Sequence, residues 1–455
     1  MRPAVAKNPA RSVLVAFMSL ISIGTALLWL PFAVDGDHPG FIDALFTSAS
    51  ASTVTGLATV DISGFSLFGE LVILCLIQVG GFGVMALGAI TAFAASHRMD
   101  LGARLRAATE FGVAPGDVRN LLLRIFQMTM IVEGGVAAML FARFLFDSQP
   151  LVRSFYSAVF HGISAFNNAG ISLYSDSLER YVADPVVMLV VSAAFIIGGL
   201  GFPVYLAIAR QVLPRENGDR GPRVLRRPRW SAWSLHARIT IVTTAVLLVV
   251  GPVVFALFEW TNPDTLGGRG IGERLLASWF QGTSPRTAGF STLDISALNE
   301  PTMLFVSTLM FIGAGPASTS GGIKVTTFAV LGFVIWSEVR GRTDVNVFQR
   351  RLPRRVIRTA ITVALLSVGL VIGTALMLIA MTDLTLSPAL FEATSAFGTV
   401  GLSTGITADL PALAHILLVL VMLAGRIGPM TFVAALAMRN RDLPYSYPEE
   451  RPIIG

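Results

Sequence analysis

The sequence predicts an all-α polytopic membrane protein built from four repeats around a pseudo-fourfold axis. Of the 455 residues, 53% are hydrophobic and 14% are charged, whereas a soluble globular chain carries about 25% charged residues. Eight apolar stretches are long enough to span a membrane, and one short motif recurs four times along the chain. These observations exclude a disordered protein, a coiled coil and an ordinary cytosolic enzyme.

The eight predicted spans each contain at least the ~20 mostly apolar residues that a transmembrane helix needs. We expect the first to be retained, because its apolar core is too long for a signal peptide and no small-residue cleavage site follows it. An even number of spans places both termini on the same side. The spans are 13–34, 67–96, 121–146, 185–212, 235–258, 301–337, 356–382 and 411–439.

Charge sorts the connecting segments into two sets. Most of the 34 basic residues lie at the termini and in segments 96–124, 210–238 and 340–358, whereas the alternate loops hold most of the acidic residues. The positive-inside rule therefore predicts cytoplasmic termini in a cell-membrane protein. The net charge of +6 is dispersed over these short segments, which argues against a nucleic-acid-binding surface.

Four shorter apolar segments lie between the spans. Each has about 10 residues and would reach only about 15 Å as a helix, half the hydrocarbon thickness of a bilayer. Periodicity leaves open whether these segments are re-entrant half-helices or surface helices. They are residues 42–52, 155–165, 272–282 and 388–396.

The repeated motif follows these short segments and favours the re-entrant interpretation. Each copy has a Phe, a Ser four residues later, and then a Gly followed by a large apolar residue; the glycines are Gly56, Gly170, Gly289 and Gly401. A second glycine element follows downstream in register, beginning at Gly80, Gly198, Gly313 and Gly425. The chain is therefore predicted to divide into four pore repeats, the last three each preceded by a cytosolic loop, at 1–96, 97–212, 213–340 and 341–455.

Irregular backbone at membrane depth must face protein or water, so the loop after each half-helix is predicted to line a central pathway. The C-terminal dipole ends of the half-helices favour a cation there. Glycine allows positive φ, which lets neighbouring carbonyls turn inward as in a potassium filter. The alternative is that the glycines are helix C-caps and that the loops merely connect one helix to the next. The residues assigned to this filter, here named the glycine segments, are Val54, Thr55, Gly56, Asn168, Ala169, Gly170, Thr287, Ala288, Gly289, Thr399, Val400 and Gly401.

These motifs make the chain resemble the Trk/Ktr/HKT superfamily of potassium transporters along essentially its whole length. It is most similar to the Ktr-type membrane subunit, because its first span begins near residue 13. Glycine at all four filter positions implies preference for K+, with Na+ as a second candidate ion and no organic cofactor. The resemblance further implies a homodimer, with one pore per protomer, seated on a ring of nucleotide-binding cytosolic regulatory subunits of the Ktr type.

The sixth span contains a break that a regular helix cannot accommodate, because glycines, a proline and three hydroxyl residues follow one another closely. The resemblance implies that this 313–324 loop obstructs the pore below the filter; the alternative is a structural kink. Lys324 would either close the same gate or cap the helix that follows. The assigned gate residues of the loop are Gly313, Gly315, Pro316, Ser318, Thr319, Ser320, Gly321, Gly322 and Lys324.

Arg426 and Glu133 are two charges placed near the middle of predicted spans. The resemblance makes Arg426 a cation barrier beneath the filter, and the alternative is a salt bridge to Glu133. Glu133 itself is interpreted as structural, hydrogen-bonded to a neighbouring helix. His161, inside a short segment, and Cys75, inside an apolar run, are both interpreted as packing residues.

Two other functional classes compete with a potassium pore. A sodium-coupled symporter also uses broken helices, but such folds often contain inverted repeats, whereas these copies run parallel. An intramembrane enzyme needs a nucleophile–base or metal set inside the spans, and none is apparent, so we expect no enzymatic activity. A sodium transporter built on the same pore is an alternative that the sequence does not exclude.

The arginine-rich stretch 220–238 is predicted to bind anionic lipid or the regulatory ring, and the acidic tail at Glu449 and Glu450 resembles a tail near the dimer interface.

Overall fold

Helices make up nearly all of the regular structure in the computed structural model, which describes residues 9–36, 40–97, 118–147, 149–212, 233–429 and 431. The first repeat contains α1 (Pro9–Leu28), α2 (Phe41–Thr53) and α3 (Leu67–His97). The second contains α4 (Val118–Phe144), α5 (Leu151–Asn167), α6 (Pro185–Leu200) and α7 (Phe202–Val212). The third contains α8 (Leu235–Glu259), α9 (Ile271–Thr283), α10 (Glu300–Phe311) and α11 (Val325–Val339). The fourth contains α12 (Arg354–Met381), α13 (Leu386–Gly398) and α14 (Ala412–Ile427).

The opening helix of each repeat is the long apolar one. Within the described residues, α1, α4, α8 and α12 are the four helices long and apolar enough to cross a bilayer, and the bent pair α6–α7 would make a fifth. No more than 28% of each of the four spans is buried within the protein, and large apolar side chains such as Val249 and Leu257 of α8 are exposed. A hydrocarbon solvent suits these surfaces better than water.

Among the closing helices of the repeats, α3 agrees with its predicted span 67–96, whereas those of the second and fourth repeats end earlier than predicted. The predicted span 185–212 is wrong as one helix, because α6 ends at Leu200 and α7 departs at 96°. Gly201 at this corner has φ +86°, and Gly428, directly after α14, has φ +94°. A right-handed helix cannot continue through such a φ value. α3 passes the equivalent Gly83 without a break.

The short helices α2, α5, α9 and α13 follow the opening helices and end in the interior. Three of them have 13 residues, whereas α5 has 17, so the prediction of 155–165 is too short at both ends. α5 begins directly after Pro150, whose fixed φ suits the residue preceding a helix. In α5 the first residues Leu151 and Val152 are exposed, whereas the last two, Phe166 and Asn167, are fully buried.

Two features lie outside the sequence prediction. A short antiparallel hairpin joins α11 to α12, pairing β1 (Asn346–Val347) with β2 (Arg350–Arg351), and Val347 packs with Ile239 of α8. Cys75 is exposed on α3 rather than buried in the core, which corrects its interpretation as a packing residue. Most of the arginine-rich stretch 220–238 and the whole acidic tail lie outside the described residues.

Four apolar clusters connect the repeats in a closed order. Phe160 of the second repeat packs among first-repeat residues, and Phe280 of the third packs among second-repeat residues. Phe391 of the fourth repeat packs against the third, and Phe46 of the first packs against the fourth. All four phenylalanines are fully buried. The repeated Phe therefore joins each repeat to the one before it, and the first to the last.

Candidate functional site

The glycine segments begin where the short helices end. Three of these helices, α2, α5 and α13, end at a residue in the left-handed region: Val54, Asn168 and Thr399. After α9, Thr287 also has a positive φ, at +73°. The four motif glycines follow two residues later with φ values of +97°, +64°, +78° and +97° in chain order. The positive φ values expected of these glycines are confirmed, and they explain why the motif requires glycine.

The repeated Ser holds each glycine segment against its helix. In every repeat, the N–H of the residue before the glycine donates to the Ser carbonyl, at 2.8 Å for Ser50 and Ser164 and 2.9 Å for Ser284 and Ser395. The hydroxyls of Ser50 and Ser395 also accept from the glycine N–H, at 3.0 and 3.1 Å. Those of Ser164 and Ser284 instead donate to the carbonyl after the glycine, at 2.7 and 2.6 Å. The recurrence of Ser therefore has a direct structural cause.

The four glycines lie against one another, each beside the next repeat. A Cβ built on Gly56 would be 2.3 Å from the Ala169 carbonyl oxygen, and one on Gly170 would be 2.9 Å from that of Ala288. A Cβ on Gly289 would be 2.0 Å from the Val400 oxygen. The circle closes because a Cβ on Gly401 would be 2.4 Å from the Thr55 oxygen. In each case the facing carbonyl belongs to the residue that precedes the next motif glycine, so side chains have no room in this ring.

The second glycine element lets the closing helices pack onto the ends of the short helices. A Cβ on Gly80, Gly198 or Gly425 would lie 2.0, 1.9 or 1.8 Å from a carbonyl oxygen. Each of these carbonyls belongs to the residue four positions before the motif glycine of the same repeat; they are Ser52, Phe166 and Phe397. In the third repeat, Gly313 faces the Gly321 carbonyl instead, because the 313–324 loop replaces the helix there.

The predicted break in the sixth span is present between α10 and α11. Its two ends pair, because the Gly313 N–H donates to the Ile323 carbonyl at 2.8 Å. The loop then contacts the second repeat, where the Gly315 N–H donates to the Gly199 carbonyl at 2.8 Å. A Cβ on Gly201 would lie 2.4 Å from the Pro316 oxygen, so the α6–α7 corner and this loop fit only without a side chain there.

The middle of the 313–324 loop reaches two of the glycine segments. The side chains of Ser318, Thr319 and Ser320 are fully buried. The Thr319 hydroxyl lies 3.0 Å from the Asn168 amide, and the Asn168 amide also contacts the Thr287 hydroxyl at 3.2 Å. Further along, a Cβ on Gly321 would lie 2.3 Å from Thr399 Oγ1, and Gly322 has φ +63° beside Gly398. The loop therefore lies directly against the ring.

Arg426 and Lys324 direct two cationic groups at this loop. The Arg426 guanidinium donates to the Thr319 carbonyl and, at 3.2 Å, to the Gly80 carbonyl. The Lys324 ammonium donates to the Ser320 carbonyl at 2.5 Å, and the Lys324 backbone precedes α11. Lys324 therefore binds the loop carbonyls and also stands at the start of the following helix.

The alternative of an Arg426–Glu133 salt bridge is wrong in this structure. One Glu133 carboxylate oxygen accepts from Gln78 at 3.1 Å and the other from Asn167 at 2.8 Å. The predicted hydrogen bonds from Glu133 to neighbouring helices are thereby confirmed. His161 is buried and bonds Ser172 Oγ at 3.0 Å, consistent with its interpretation as a packing residue.

Two buried charged residues near the ring were missed by sequence reasoning. Arg286, in the third glycine motif, is only 6% exposed, and its Nε has no hydrogen-bond partner. Glu392, next to the repeated Phe391, is fully buried and accepts from Ser403 and Thr407. A comparison of the four motif copies could have revealed both, since each interrupts an otherwise neutral set of equivalent positions.

Acidic groups cluster on the loops that follow the ring. Burial raises the pKa of Glu179, and the nearby charges of Asp294 and Asp176 raise it further. Burial also acts to raise the pKa of Asp176, but the hydrogen bond and charge of Arg180 outweigh it and the net shift is downward. The Arg180 and Asp176 side chains approach to 2.6 Å.

The apolar opening helices and the broken closing helices define a multi-pass helical membrane protein. The family model of TrkH, a cation transport protein, matches residues 2–442, and the chain belongs to this family. The chain is 36% identical to the Ktr system potassium uptake protein B of Bacillus subtilis (strain 168), covering 98% of this chain and 97% of that protein. It is also 36% identical to the Ktr system potassium uptake protein B of Vibrio alginolyticus, covering 98% and 94%.

A solved structure has the same fold. The crystal structure of the potassium transporter TrkH from Vibrio parahaemolyticus matches with a TM-score of 0.72 and 19% identity, covering 94% of this chain and 85% of that chain. The relatives are transporters, in line with the expectation that this chain is not an enzyme.

Proposed function

We propose that this chain is the potassium-translocating membrane subunit of a Ktr-type uptake system, with the four glycine segments as its selectivity filter. The short helices α2, α5, α9 and α13 act as re-entrant pore helices, and their buried C-terminal ends carry the negative dipole that favours a cation. Each repeat contributes a transmembrane helix, a pore helix, a glycine segment and a second transmembrane helix. The four copies surround one pseudo-fourfold pore axis.

The ring of glycines is the observation that supports this proposal best. Four positive-φ glycines contact neighbouring carbonyls in the order of the repeats, and the contacts close from the fourth to the first. A backbone-lined constriction of this kind replaces the hydration shell of an ion with carbonyl oxygens. If the glycines were only helix caps, nothing would require each of them to meet the next repeat. The relatives' names, which specify potassium uptake, support K+ as the ion.

The 313–324 loop and Arg426 form the proposed gate. The loop is packed against the glycine segments, and Arg426 joins it to α3 through the carbonyls of Thr319 and Gly80. Ser320 Oγ, Thr399 Oγ1 and Arg426 Nε are buried and lack hydrogen-bond partners among the described residues. Buried polar atoms without protein partners fit a watery path, because such atoms are otherwise paired. Opening requires the loop and Arg426 to separate.

The assembly proposed for this subunit follows from its family. Two copies would form a homodimer in the cell membrane, with both termini in the cytoplasm and a ring of nucleotide-binding regulatory subunits beneath. By the positive-inside rule we expect the hairpin β1–β2 on that same cytoplasmic side, beside the regulatory subunits. The acidic loops around Asp176 and Asp294 would then face outward and concentrate cations at the entrance.

Flux through the purified protein in liposomes tests the proposal. We expect K+ influx that saturates with K+ concentration and exceeds Na+ influx under the same gradient. Four matched single variants should insert equally well and lose discrimination between K+ and Na+. They are Gly56→Ser, Gly170→Ser, Gly289→Ser and Gly401→Ser. Protein that inserts but conducts neither ion would overturn the assignment.

Sodium transport is the second candidate for the same pore. One relative, the potassium/sodium uptake protein NtpJ of Enterococcus hirae, is 31% identical over 98% of this chain and 97% of its own length. Adding Na+ to the outer solution separates the candidates. Coupled transport predicts that K+ influx rises with external Na+, whereas a potassium channel predicts no increase.

A further inference from the structure

The residue directly after the repeated Phe is polar and buried in all four repeats. These residues are Thr47, His161, Gln281 and Glu392, and none is more than 1% exposed. Three of them bond a residue just beyond the motif glycine of their own repeat. His161 meets Ser172 Oγ at 3.0 Å, Gln281 accepts from the Thr292 N–H at 3.3 Å, and Glu392 accepts from Ser403 Oγ at 2.9 Å. In three repeats, the residue after the repeated Phe thus holds the loop beyond the motif glycine, with a different side chain in each.

Glu392 makes the most extensive of these contacts. Its second carboxylate oxygen accepts from Thr407 Oγ1, and the Thr407 hydroxyl lies 2.9 Å from Ser403 Oγ. The Thr407 carbonyl accepts from His415 Nε2 of α14 at 2.8 Å. The His415 ring packs edge-on against Phe46, with centroids 5.2 Å apart. The network therefore connects α13, the loop after Gly401, α14 and the first repeat.

The network supports one side of the fourth glycine segment. On the near side, the Gly401 N–H is fixed by Ser395 Oγ at 3.1 Å. On the far side, Ser403 is held by Glu392 and accepts from the Gly405 N–H at 3.0 Å. Gly401 lies between these two anchors and against the Thr55 carbonyl. Loss of the outer anchor frees the backbone on one side of Gly401, and the carbonyls around it lose their fixed spacing.

We propose that Glu392 is a positioning residue that sets the ion selectivity of the fourth glycine segment by holding Ser403 and Thr407. This inference rests on the proposed function as a cation pore. Glu392 lies behind the ring and acts through the loop backbone rather than by binding the ion. Each oxygen of the Glu392 carboxylate accepts a hydrogen bond from one hydroxyl, Ser403 or Thr407. In Glu392→Gln one of these oxygens becomes an NH2 donor, so the hydroxyl that faces it would have to accept instead of donate.

The test measures K+ and Na+ flux in liposomes for Glu392→Gln, Thr407→Val and Thr407→Ser. We expect the K+/Na+ flux ratio to fall about 3- to 10-fold in Glu392→Gln and Thr407→Val, the range expected for the loss of about one hydrogen bond. Thr407→Ser keeps the hydroxyl and should retain the ratio of the unmodified protein. Thr407→Val is nearly isosteric, so it carries the test if Glu392→Gln folds poorly.

Glu259 provides a matched control. It is also a fully buried glutamate with several polar partners, including Asn262 at 2.6 Å and Thr265 at 2.7 Å, but it joins α8 to α10 away from the glycine segments. Glu259→Gln should lower thermal stability and leave the flux ratio within about twofold. An equal change of ratio in Glu259→Gln, or an unchanged ratio in both Glu392→Gln and Thr407→Val, overturns the proposal. Failure of the unmodified protein to conduct K+ would instead reject the proposed function.

Discussion

At the scale of single residues, the glycine ring depends on two separate properties of glycine. One is backbone freedom, since all four motif glycines have positive φ. The other is space, since any Cβ would meet a carbonyl of the next repeat. Gly405 isolates the first property, because its φ of +89° resembles the +97° of Gly401 and a Cβ there would meet nothing within 4 Å.

Gly401→Ser and Gly405→Ala therefore form a discriminating pair. Both substitutions strain the backbone, but only Gly401→Ser intrudes on the ring. We expect Gly401→Ser to reduce the K+/Na+ flux ratio by about 10-fold or more, a loss equivalent to about 1.4 kcal/mol. Gly405→Ala keeps the backbone N–H that donates to Ser403 Oγ, so it should leave the ratio unchanged while lowering the unfolding temperature. Equal ratios in the two variants would remove the filter assignment.

Arg426 gives the second prediction at this scale. A unit charge about 4 Å from K+ costs about 4 kcal/mol at an effective dielectric of 20, so Arg426→Ala should increase K+ flux. Arg426→Lys should keep part of the barrier, because it keeps the charge but not the planar fork that joins two carbonyls. Flux in liposomes and protein yield are measured together for both variants.

Glu133 supplies the control for the Arg426 experiment. Because Glu133 is bonded to Gln78 and Asn167, adding Glu133→Gln to Arg426→Ala should not restore yield. If the double variant gave more protein than Arg426→Ala alone, while its K+ flux did not exceed that of the unmodified protein, the two charges would interact after all.

The partners of Arg426 illustrate what the sequence could and could not predict. Its burial was expected from its place in an apolar span, because a charge there must be satisfied. Its contact with Thr319 brings together residues more than a hundred positions apart, and no local pattern encodes such a pairing. The positive φ of the motif glycines was predictable, because glycine adopts a left-handed conformation without steric cost and because it recurs at the same position in all four copies of the motif.

At the scale of elements, the same glycine-rich stretch can continue a helix or end it. Gly83 lies within α3, whereas Gly201 ends α6 at a sharp corner. The two stretches differ after the last glycine, because Pro203 follows Gly201 by two positions whereas Val84 and Met85 follow Gly83. Proline disfavours a helix through the residues before it, so the sequence carried a signal for the corner that the prediction of one continuous span overlooked. The contact of the corner with Pro316 of the 313–324 loop has no such local signal. The hairpin β1–β2 was also missed, because strands of two residues carry no measurable periodicity.

Helix packing through the second glycine element gives a stability prediction. A Cβ on Gly425 would lie 1.8 Å from the Phe397 carbonyl oxygen, so Gly425→Ala must separate α14 from α13 and should cost about 1–3 kcal/mol or more. Gly373 of α12 has no atom within 4 Å of such a Cβ, and Gly373→Ala should change stability by at most about 1 kcal/mol. Thermal unfolding in detergent measures both, and equal melting temperatures would argue against the packing role.

The 313–324 loop gives a flux prediction. Deleting residues 317–321 removes Thr319 and Gly321, the two contacts with the glycine segments, while the pairing of Gly313 with Ile323 can persist. The maximal K+ flux should rise with little change in apparent K+ affinity. Thr319→Val is the milder companion, because it removes only the hydroxyl contacts with Asn168 and with the Phe166 carbonyl. A deletion variant that inserts normally yet conducts no faster would show that the loop is not a barrier.

At the scale of the whole molecule, charge and apolar surface together set the orientation in the membrane. The exposed apolar helices fix the depth, and the basic segments select the cytoplasmic side. The acidic loop containing Asp294 and the hairpin containing Asn346 then lie on opposite faces. This arrangement is a proposal that labelling can test directly.

Single cysteines placed in a Cys75→Ser background provide that test. Ser296 is exposed in the loop after the third glycine segment, and Asn346 is exposed on the hairpin. A membrane-impermeant maleimide should label Ser296→Cys in intact cells and Asn346→Cys only after permeabilisation. The reverse pattern would place the termini outside.

The closed order of the repeated phenylalanines also bears on how the chain is made. Phe160, Phe280 and Phe391 each enter a cluster built mostly from residues of the preceding repeat, which have already been synthesised, so most of these contacts can form as the polypeptide emerges. Phe46 is different, because its cluster consists largely of the last repeat, including Phe397 and Leu418. The earliest of these anchors is therefore the last to be covered. Until the fourth repeat has been inserted, the apolar surface around Phe46 lacks most of the residues that cover it in the finished protein.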